Sequence, residues 1–237
     1  MAAPYFLFKQ FVIAQQHCAM KVTADATLFG AWAPVPAQAQ KVLDIGCGTG
    51  LLSLMLAQRF PHLSIDAIEL EEKAARQAAE NVRHSRFHDR IMVQQADART
   101  WQPAYRYDFV ICNPPFYSKS LAGRQPEKNM AWHSQSLSFS DLAALLERHL
   151  SQAGNAALLL PETEFENLRQ AMSAGCLILK EAVRLTGPQE KEKNRIMSIW
   201  ERKKPDSLAE LVPDEYGNLN RNESQAIESL SCFNMFL

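Results

Sequence analysis

Two short segments carry residue types that can do chemistry. The first is Asp44-Ile45-Gly46-Cys47-Gly48-Thr49-Gly50. Glycines at alternate positions let a backbone turn tightly and approach a ligand with no Cβ in the way. Leu51 stands where the dinucleotide fingerprint needs Gly or Ala, and no phosphate-gripping Lys follows. The expected ligand is therefore nucleotide-like but lacks phosphates. Glu69 lies 21 residues beyond Gly48, where an acidic partner for ribose hydroxyls is expected at the end of the next strand. The second segment is Asn113-Pro114-Pro115-Phe116. Two prolines fix φ and remove two backbone donors, so this loop is stiff. An exocyclic amino group is a poor nucleophile because its lone pair is delocalised into the ring. The Asn113 side-chain oxygen and the Pro114 carbonyl can accept both of its N–H bonds, orient the lone pair and stabilise charge growing on nitrogen. Phe116 can stack on an unstacked base.

Each segment alone also reads as a structural turn. Their chemistry rests on what positions them, and the surrounding pattern is βαβ. Residues 41–45 form a short buried strand, 49–59 an apolar helix ended before Pro61, 63–70 a strand, 71–83 a helix, 91–93 a strand and 107–112 a strand. Ser138 with Asp141 makes a near capping box for a helix whose buried stripe is Leu142, Leu145, Leu146 and Leu150. A strand over 156–160, a helix over 162–173 and a terminal antiparallel pair over 176–185 and 195–202 complete the pattern. Upstream, 5–15 reads as one strand, and Asp25 as the cap of a helix over 26–32 stopped by Pro34 and Pro36. The fold class expected is α/β, Rossmann-like, a mostly parallel sheet with a terminal antiparallel strand and helices on both faces. One domain spans 1–237, with an N-terminal extension (1–40), a catalytic core (41–204) and a C-terminal extension (205–237). Both segments then sit at the carboxyl edge of one sheet.

The glycine segment resembles motif I of S-adenosylmethionine (SAM) methyltransferases. The resemblance implies SAM as cofactor, held by Asp44, Gly46, Cys47, Gly48, Gly50, Glu69, Leu70, Ala96 and Asp97. Asp97 would accept from the adenine amino group. Asn113 to Phe116 resembles motif IV of amino-group methyltransferases acting on adenine, guanine or a protein glutamine. Cys112 ends a hydrophobic strand and Cys47 lies in the glycine loop, so both read as packing residues rather than nucleophiles.

The N-terminal signature is more specific. Phe8-Lys9-Gln10-Phe11, followed by Cys18-Ala19-Met20-Lys21-Val22-Thr23-Ala24-Asp25-Ala26-Thr27-Leu28-Phe29-Gly30-Ala31-Trp32-Ala33, is similar to the start of the bacterial tRNA1(Val) (adenine-37-N6)-methyltransferases. The resemblance spans roughly residues 5 to 203, and it implies N6-methylation of the adenosine beside the anticodon. It also implies that Lys21, Thr23 and Asp25 lie near the SAM methionine moiety. Their alternative reading is a salt-bridged surface turn. Many family members carry Gly-Thr-Asp-Gly where this chain has Thr23-Ala24-Asp25-Ala26, and the stretch after Pro205 matches weakly.

Composition bounds these readings. Hydrophobic residues make up 47% of 237 and charged residues 22%, which excludes wholesale disorder. A net charge of −1 rules out a general polyanion binder, so RNA contact needs local clusters. One candidate is Lys119, Arg124 and Lys128, just after the Asn-Pro-Pro-Phe segment. The other is 180–204, with eight basic residues against four acidic, including Lys191, Lys193 and Arg195. Five unpaired-looking cysteines without a C-x-x-C exclude a zinc ribbon and suit a reducing compartment. No apolar run reaches bilayer length. A soluble cytoplasmic protein is expected, with a tRNA substrate, no metal, no membrane and a monomeric state favoured. Rival readings are a release-factor glutamine methyltransferase, a DNA or rRNA amino methyltransferase, and a non-catalytic RNA-binding module. The first carries a sizeable helical N-terminal domain, the DNA enzyme a target-recognition region, and neither has room here.

Overall fold

Alternation along each strand decides the architecture. The structure, a computed structural model, describes residues 3–114, 137–185 and 194–203. Its sheet consists of β3 (Lys41–Ile45), β4 (Ser64–Glu69), β5 (Ile91–Gln95), β6 (Tyr107–Cys112), β7 (Leu150–Pro161), β8 (Leu177–Leu185) and β9 (Arg195–Arg202). The strand order is β5-β4-β3-β6-β7-β9-β8. Pairs from β5 through β7 are parallel, and β9 runs antiparallel between β7 and β8. The expected α/β class, with its antiparallel terminus, is the observed one.

Val42, Ile65, Phe109, Ile111, Leu159 and Met197 point into one core, which α1 (Ala24–Trp32) and α2 (Leu51–Arg59) cover. Their neighbours Leu43, Ile68, Val110, Cys112, Leu158 and Leu160 point into the other, filled by α4 (Phe139–His149), α5 (Glu162–Ser173) and the buried Trp200. The third helix, α3 (Glu72–Arg83), joins the first layer through Val82 and stacks Ala78 on Cys47 and Ala67. A central strand buried on both faces requires this continuous apolar run, and the period of two sorts it between the layers.

The N-terminal reading needs correction. Residues 5–15 are not one strand but a hairpin, β1 (Tyr5–Leu7) and β2 (Val12–Ala14), closed by an N–H···O bond from Phe8 to Phe11. The turn lacks Gly, Pro and Asn, so no turn signal marks it. Folding back stacks Phe8 on Phe11 at 4.6 Å and sets Phe11 edge-on to Phe87. Asp25 is not the helix cap either. The Thr23 hydroxyl accepts from Ala26 N at 3.2 Å, starting α1 two residues earlier than expected, and Asp25 falls in its first turn. Strand β7 begins at Leu150 rather than 156, across a bulge opposite Tyr107 and Phe109. Gly154 permits that bulge, since a Cβ there would meet Leu150 and the Tyr107 carbonyl at 2.9 Å.

Candidate active site at the carboxyl edge of the sheet

Register brings the expected residues to one level. Ile45 pairs with Ile68 on one side and Cys112 on the other. The next residues, Gly46, Glu69 and Asn113, therefore leave three adjacent strands together, and Glu69 pairs onward with Gln95. At a strand spacing of about 4.8 Å, Glu69 and Asn113 flank the glycine loop roughly 10 Å apart.

The glycine loop is built to leave space. Gly46, Gly48 and Gly50 have φ of 67°, 56° and 79°, a conformation no other described residue adopts. Side chains there are strained. A Cβ built on Gly46 or Gly48 would meet nothing within 4 Å, whereas one on Gly50 would touch Ala78. The first two glycines thus face open volume, and the third seats α2 against α3. The Gly46 and Cys47 amides donate to the Ile68 carbonyl, and the Gly48 amide donates to Glu69 Oε2 at 2.9 Å. Glu69 Oε1 accepts from the Glu71 amide. One carboxylate thereby ties the loop to the start of α3.

Asp44 is fully buried. Its Oδ2 accepts from the Ser53 hydroxyl at 2.6 Å and the Ser53 amide at 3.1 Å, while Oδ1 has no partner among the described residues. Burial pushes its carboxyl up to about 7 against the pull of both Ser53 bonds, and the Glu69 charge adds to the rise. A half-satisfied buried acid beside open glycines fits a ligand carrying positive charge and donors. Asp97 is held by the Arg99 guanidinium, with Nε at 2.9 and 3.0 Å from its two oxygens, which keeps its carboxyl below the usual range. The Ala96 amide donates to the Glu69 carbonyl. Leu70 is 40% exposed, a large apolar side chain presented at this edge. Cys47 and Cys112 are buried, and burial pushes both thiols well up. Cys47 packs with Ala67 and Ala78, and Cys112 lies in the second core.

The N-terminal segment reaches the same place. Asn113 Nδ2 lies 3.9 Å from Met20 Sδ, a contact between residues 93 apart. Lys21 Nζ donates to the carbonyls of Gln15, Gln16 and Cys18, so its ammonium orders the 15–21 segment. Val22 N donates to Gln15 Oε1. Glu69 is near enough to help push the buried Cys18 thiol up to about 11, after burial itself, with Lys21 opposing. Asp25 pairs with Arg195 Nε at 3.5 Å. Thr23 is thus engaged as the cap of α1 and Asp25 in an ion pair.

Of the remaining expected site residues, Pro114 is half-buried beside Asn113. Pro115, Phe116, Lys119, Arg124, Lys128, Lys191 and Lys193 lie outside the described residues, as does 205–237. Three contributors had not been expected: Ser53 on Asp44, Met20 on Asn113, and Asn81. The last is a buried polar residue on the apolar stripe of α3, and that misfit with Ala74, Ala78 and Val82 is the one signal that could have marked it. Among the described residues no group of three His, Cys, Asp or Glu side chains could hold a metal. No described helix is long and apolar enough to cross a membrane.

A family model described as "Methyltransferase small domain" matches residues 24–136. The chain is 39% identical over 212 residues to the tRNA1(Val) (adenine(37)-N6)-methyltransferase of Dyadobacter fermentans, covering 90% of this chain and 88% of that one. It is 45% identical over 164 residues to the protein of the same name from Cronobacter sakazakii, covering 68% and 66%. Among solved structures, TrmN from Thermus thermophilus superposes with a TM-score of 0.54 at 23% identity, covering 76% of this chain. The chain spans about half (48%) the length of that protein, and the likeness shows the fold alone.

Proposed function

The chain belongs to the tRNA1(Val) (adenine(37)-N6)-methyltransferase family, and we propose from that premise that it methylates N6 of an adenosine in tRNA, A37 of tRNA1(Val), with SAM as donor. The observation that carries this reading is the common level of Gly46, Glu69 and Asn113 at the sheet edge. That common level supports a nucleoside donor without phosphates lying beside an amide suited to an amino group. The named relatives favour the RNA reading over the glutamine, DNA and non-catalytic alternatives.

The open faces of Gly46 and Gly48 and the unpartnered Asp44 Oδ1 fit SAM. When bound, SAM supplies a methyl group on a positively charged sulfur. Glu69 would accept from the ribose hydroxyls with the lone pairs its bonds to the Gly48 and Glu71 amides leave. Asp97 would accept from the adenine amino group, and Leu70 would offer an apolar surface to the adenine. Asp44 gains a nearby cation, which favours its charged form and offsets part of its burial cost.

On the substrate side, Asn113 Oδ1 accepts one N–H of the target amino group and the Pro114 carbonyl accepts the other. Both acceptors turn the nitrogen lone pair away from ring conjugation. They would also stabilise the positive charge that grows on nitrogen as it takes the methyl group and the sulfur–methyl bond breaks, its electron pair staying on sulfur. One amino proton then departs to solvent. Met20 engages Asn113 Nδ2 and so leaves the amide oxygen for the base. Phe116, by its chemistry, is the stacking partner, and Lys119, Arg124 and Lys128 are the phosphate contacts nearest it in sequence.

The test is mass spectrometry of nucleosides from a tRNA1(Val) transcript incubated with methyl-deuterated SAM. Labelled N6-methyladenosine that vanishes in an A37→G transcript is expected. Label in another nucleoside, or none, would contradict the proposal.

A further inference from the structure

We propose that Asn81, on α3, is a positioning residue for the cofactor loop and makes the N-terminal hairpin part of the SAM site. The inference rests on the SAM reading above. Asn81 is 4% exposed, and its hydrogen bonds go to two separate pieces of backbone. Its Nδ2 donates to the Ala14 carbonyl and to the Thr49 carbonyl, each at 2.9 Å, and its Oδ1 accepts from the Ala14 amide at 2.9 Å.

Both backbone partners need it. In the hairpin, the Gln15 amide donates to Pro4 and the Phe8 amide to Phe11. Tyr5 and Ala14 are therefore a non-hydrogen-bonded pair, and the Ala14 N–H and C=O point to the open edge of β2. The Asn81 amide fills that edge as a further strand would. At its other end, Thr49 sits between Gly48 and Gly50, and both neighbours have positive φ. The Thr49 carbonyl belongs to the peptide that enters Gly50, so holding it fixes how the loop turns into α2. Glu69 grips the loop at the Gly48 amide and Asn81 grips it one residue later. The stretch leaving Ala14 continues through Gln15 and Lys21 to Met20, which touches Asn113. One buried amide therefore joins the cofactor loop to the segment that braces the catalytic amide.

Calorimetry and steady-state kinetics of three variants test this. Asn81→Ala is expected to weaken SAM binding by about 5- to 100-fold, as the loss of a buried hydrogen-bond partner does, with kcat at saturating SAM within about 3-fold of wild type. Asn81→Asp keeps the acceptor for the Ala14 amide but loses the donor to Thr49, and should bind SAM no better than Asn81→Ala. Val82→Ala removes core packing one residue away and should lower Tm while SAM affinity stays within about 2-fold. In the wild type, SAM should slow Ala14 amide exchange by at least about 5-fold, a readout that needs no variant to fold. Wild-type affinity in Asn81→Asp, equal losses in Asn81→Ala and Val82→Ala, or unchanged Ala14 exchange would each overturn this inference alone. Wild-type protein that binds no SAM would overturn the functional reading and this inference with it.

Discussion

On β3 and β4 the sheet edge ends in glycines at positive φ and a carboxylate that bonds to the loop, over a buried acid; on β6, one strand away, it ends in the amide of Asn113. The glycine side holds a backbone conformation that only glycine adopts freely, at three positions, and a fully buried Asp44 whose Oδ1 has no partner among the described residues. The β6 side is ordinary packing up to Cys112, and among the described residues Asn113 is contacted by Met20. On the function proposed above, the difference teaches that binding and methyl transfer draw on different residues of one edge. Binding needs a preformed cradle and accepts a cost in stability for it. On the same proposal, methyl transfer asks only for an acceptor pair, Asn113 Oδ1 and the Pro114 carbonyl, aimed at the target amino group.

Substitutions can break that separation, and the largest effect belongs to the amide. Asn113→Ala should lower kcat by about 10²- to 10³-fold while calorimetry finds SAM affinity within about 3-fold. Parallel losses would merge the two regions into one.

Next comes the stability cost on the cofactor side. The Asp44 carboxyl keeps its proton up to about 7 in the folded chain but loses it near 3.8 when unfolded. Between those values the native state binds more protons, so this residue's contribution to stability falls as pH rises through that window. Asp44→Asn cannot titrate and can still accept from Ser53. Urea unfolding should show the variant gaining stability over wild type from pH 4 to pH 8, on the order of 3 kcal/mol, while SAM binding weakens. Parallel stability curves would show that the acid carries no such cost.

Glu69→Ala should weaken SAM binding by roughly 1.5–3 kcal/mol, about 10- to 150-fold. Glu69→Gln, which still accepts from the Gly48 amide, sharpens the point: it should lose less, and the gap between the two measures loop anchoring apart from ribose recognition. The smallest effect concerns RNA. Replacing Lys119, Arg124 and Lys128 with Ala should raise the tRNA Michaelis constant several-fold and reduce its salt slope by about 0.7 for each phosphate that the loop no longer neutralises. SAM affinity should not move. An unchanged salt slope would turn attention to Lys191 and Lys193, since Arg195 is already paired with Asp25.

Local signals were legible and distant partners were not. Strands β6 and β9 fall where alternation and apolar content put them, residue for residue. The Ser138/Asp141 capping box forms with both of its bonds. The glycines and Glu69 are legible because backbone chemistry at a strand–helix turn restricts residue type locally. The hairpin was hidden because aromatic and β-branched residues favour a strand whether or not it folds back, and Phe8-Lys9-Gln10-Phe11 contains no turn former. Asp25 and Thr23 are both competent caps, and only the backbone geometry chooses between them. Asn81 and Met20 act across 67 and 93 residues of sequence, so their partners exist only once the sheet has assembled.

The measurement that tests the separation most directly is single-turnover methyl transfer to tRNA1(Val) as a function of SAM concentration, in Glu69→Ala and Asn113→Ala. Saturating SAM should restore Glu69→Ala to within about 3-fold of the wild-type rate, because its defect lies in binding. Asn113→Ala should stay at least about 100-fold slow at every concentration. Full recovery of Asn113→Ala at high SAM, or a Glu69→Ala rate that saturation cannot restore, would contradict the division of labour along the sheet edge.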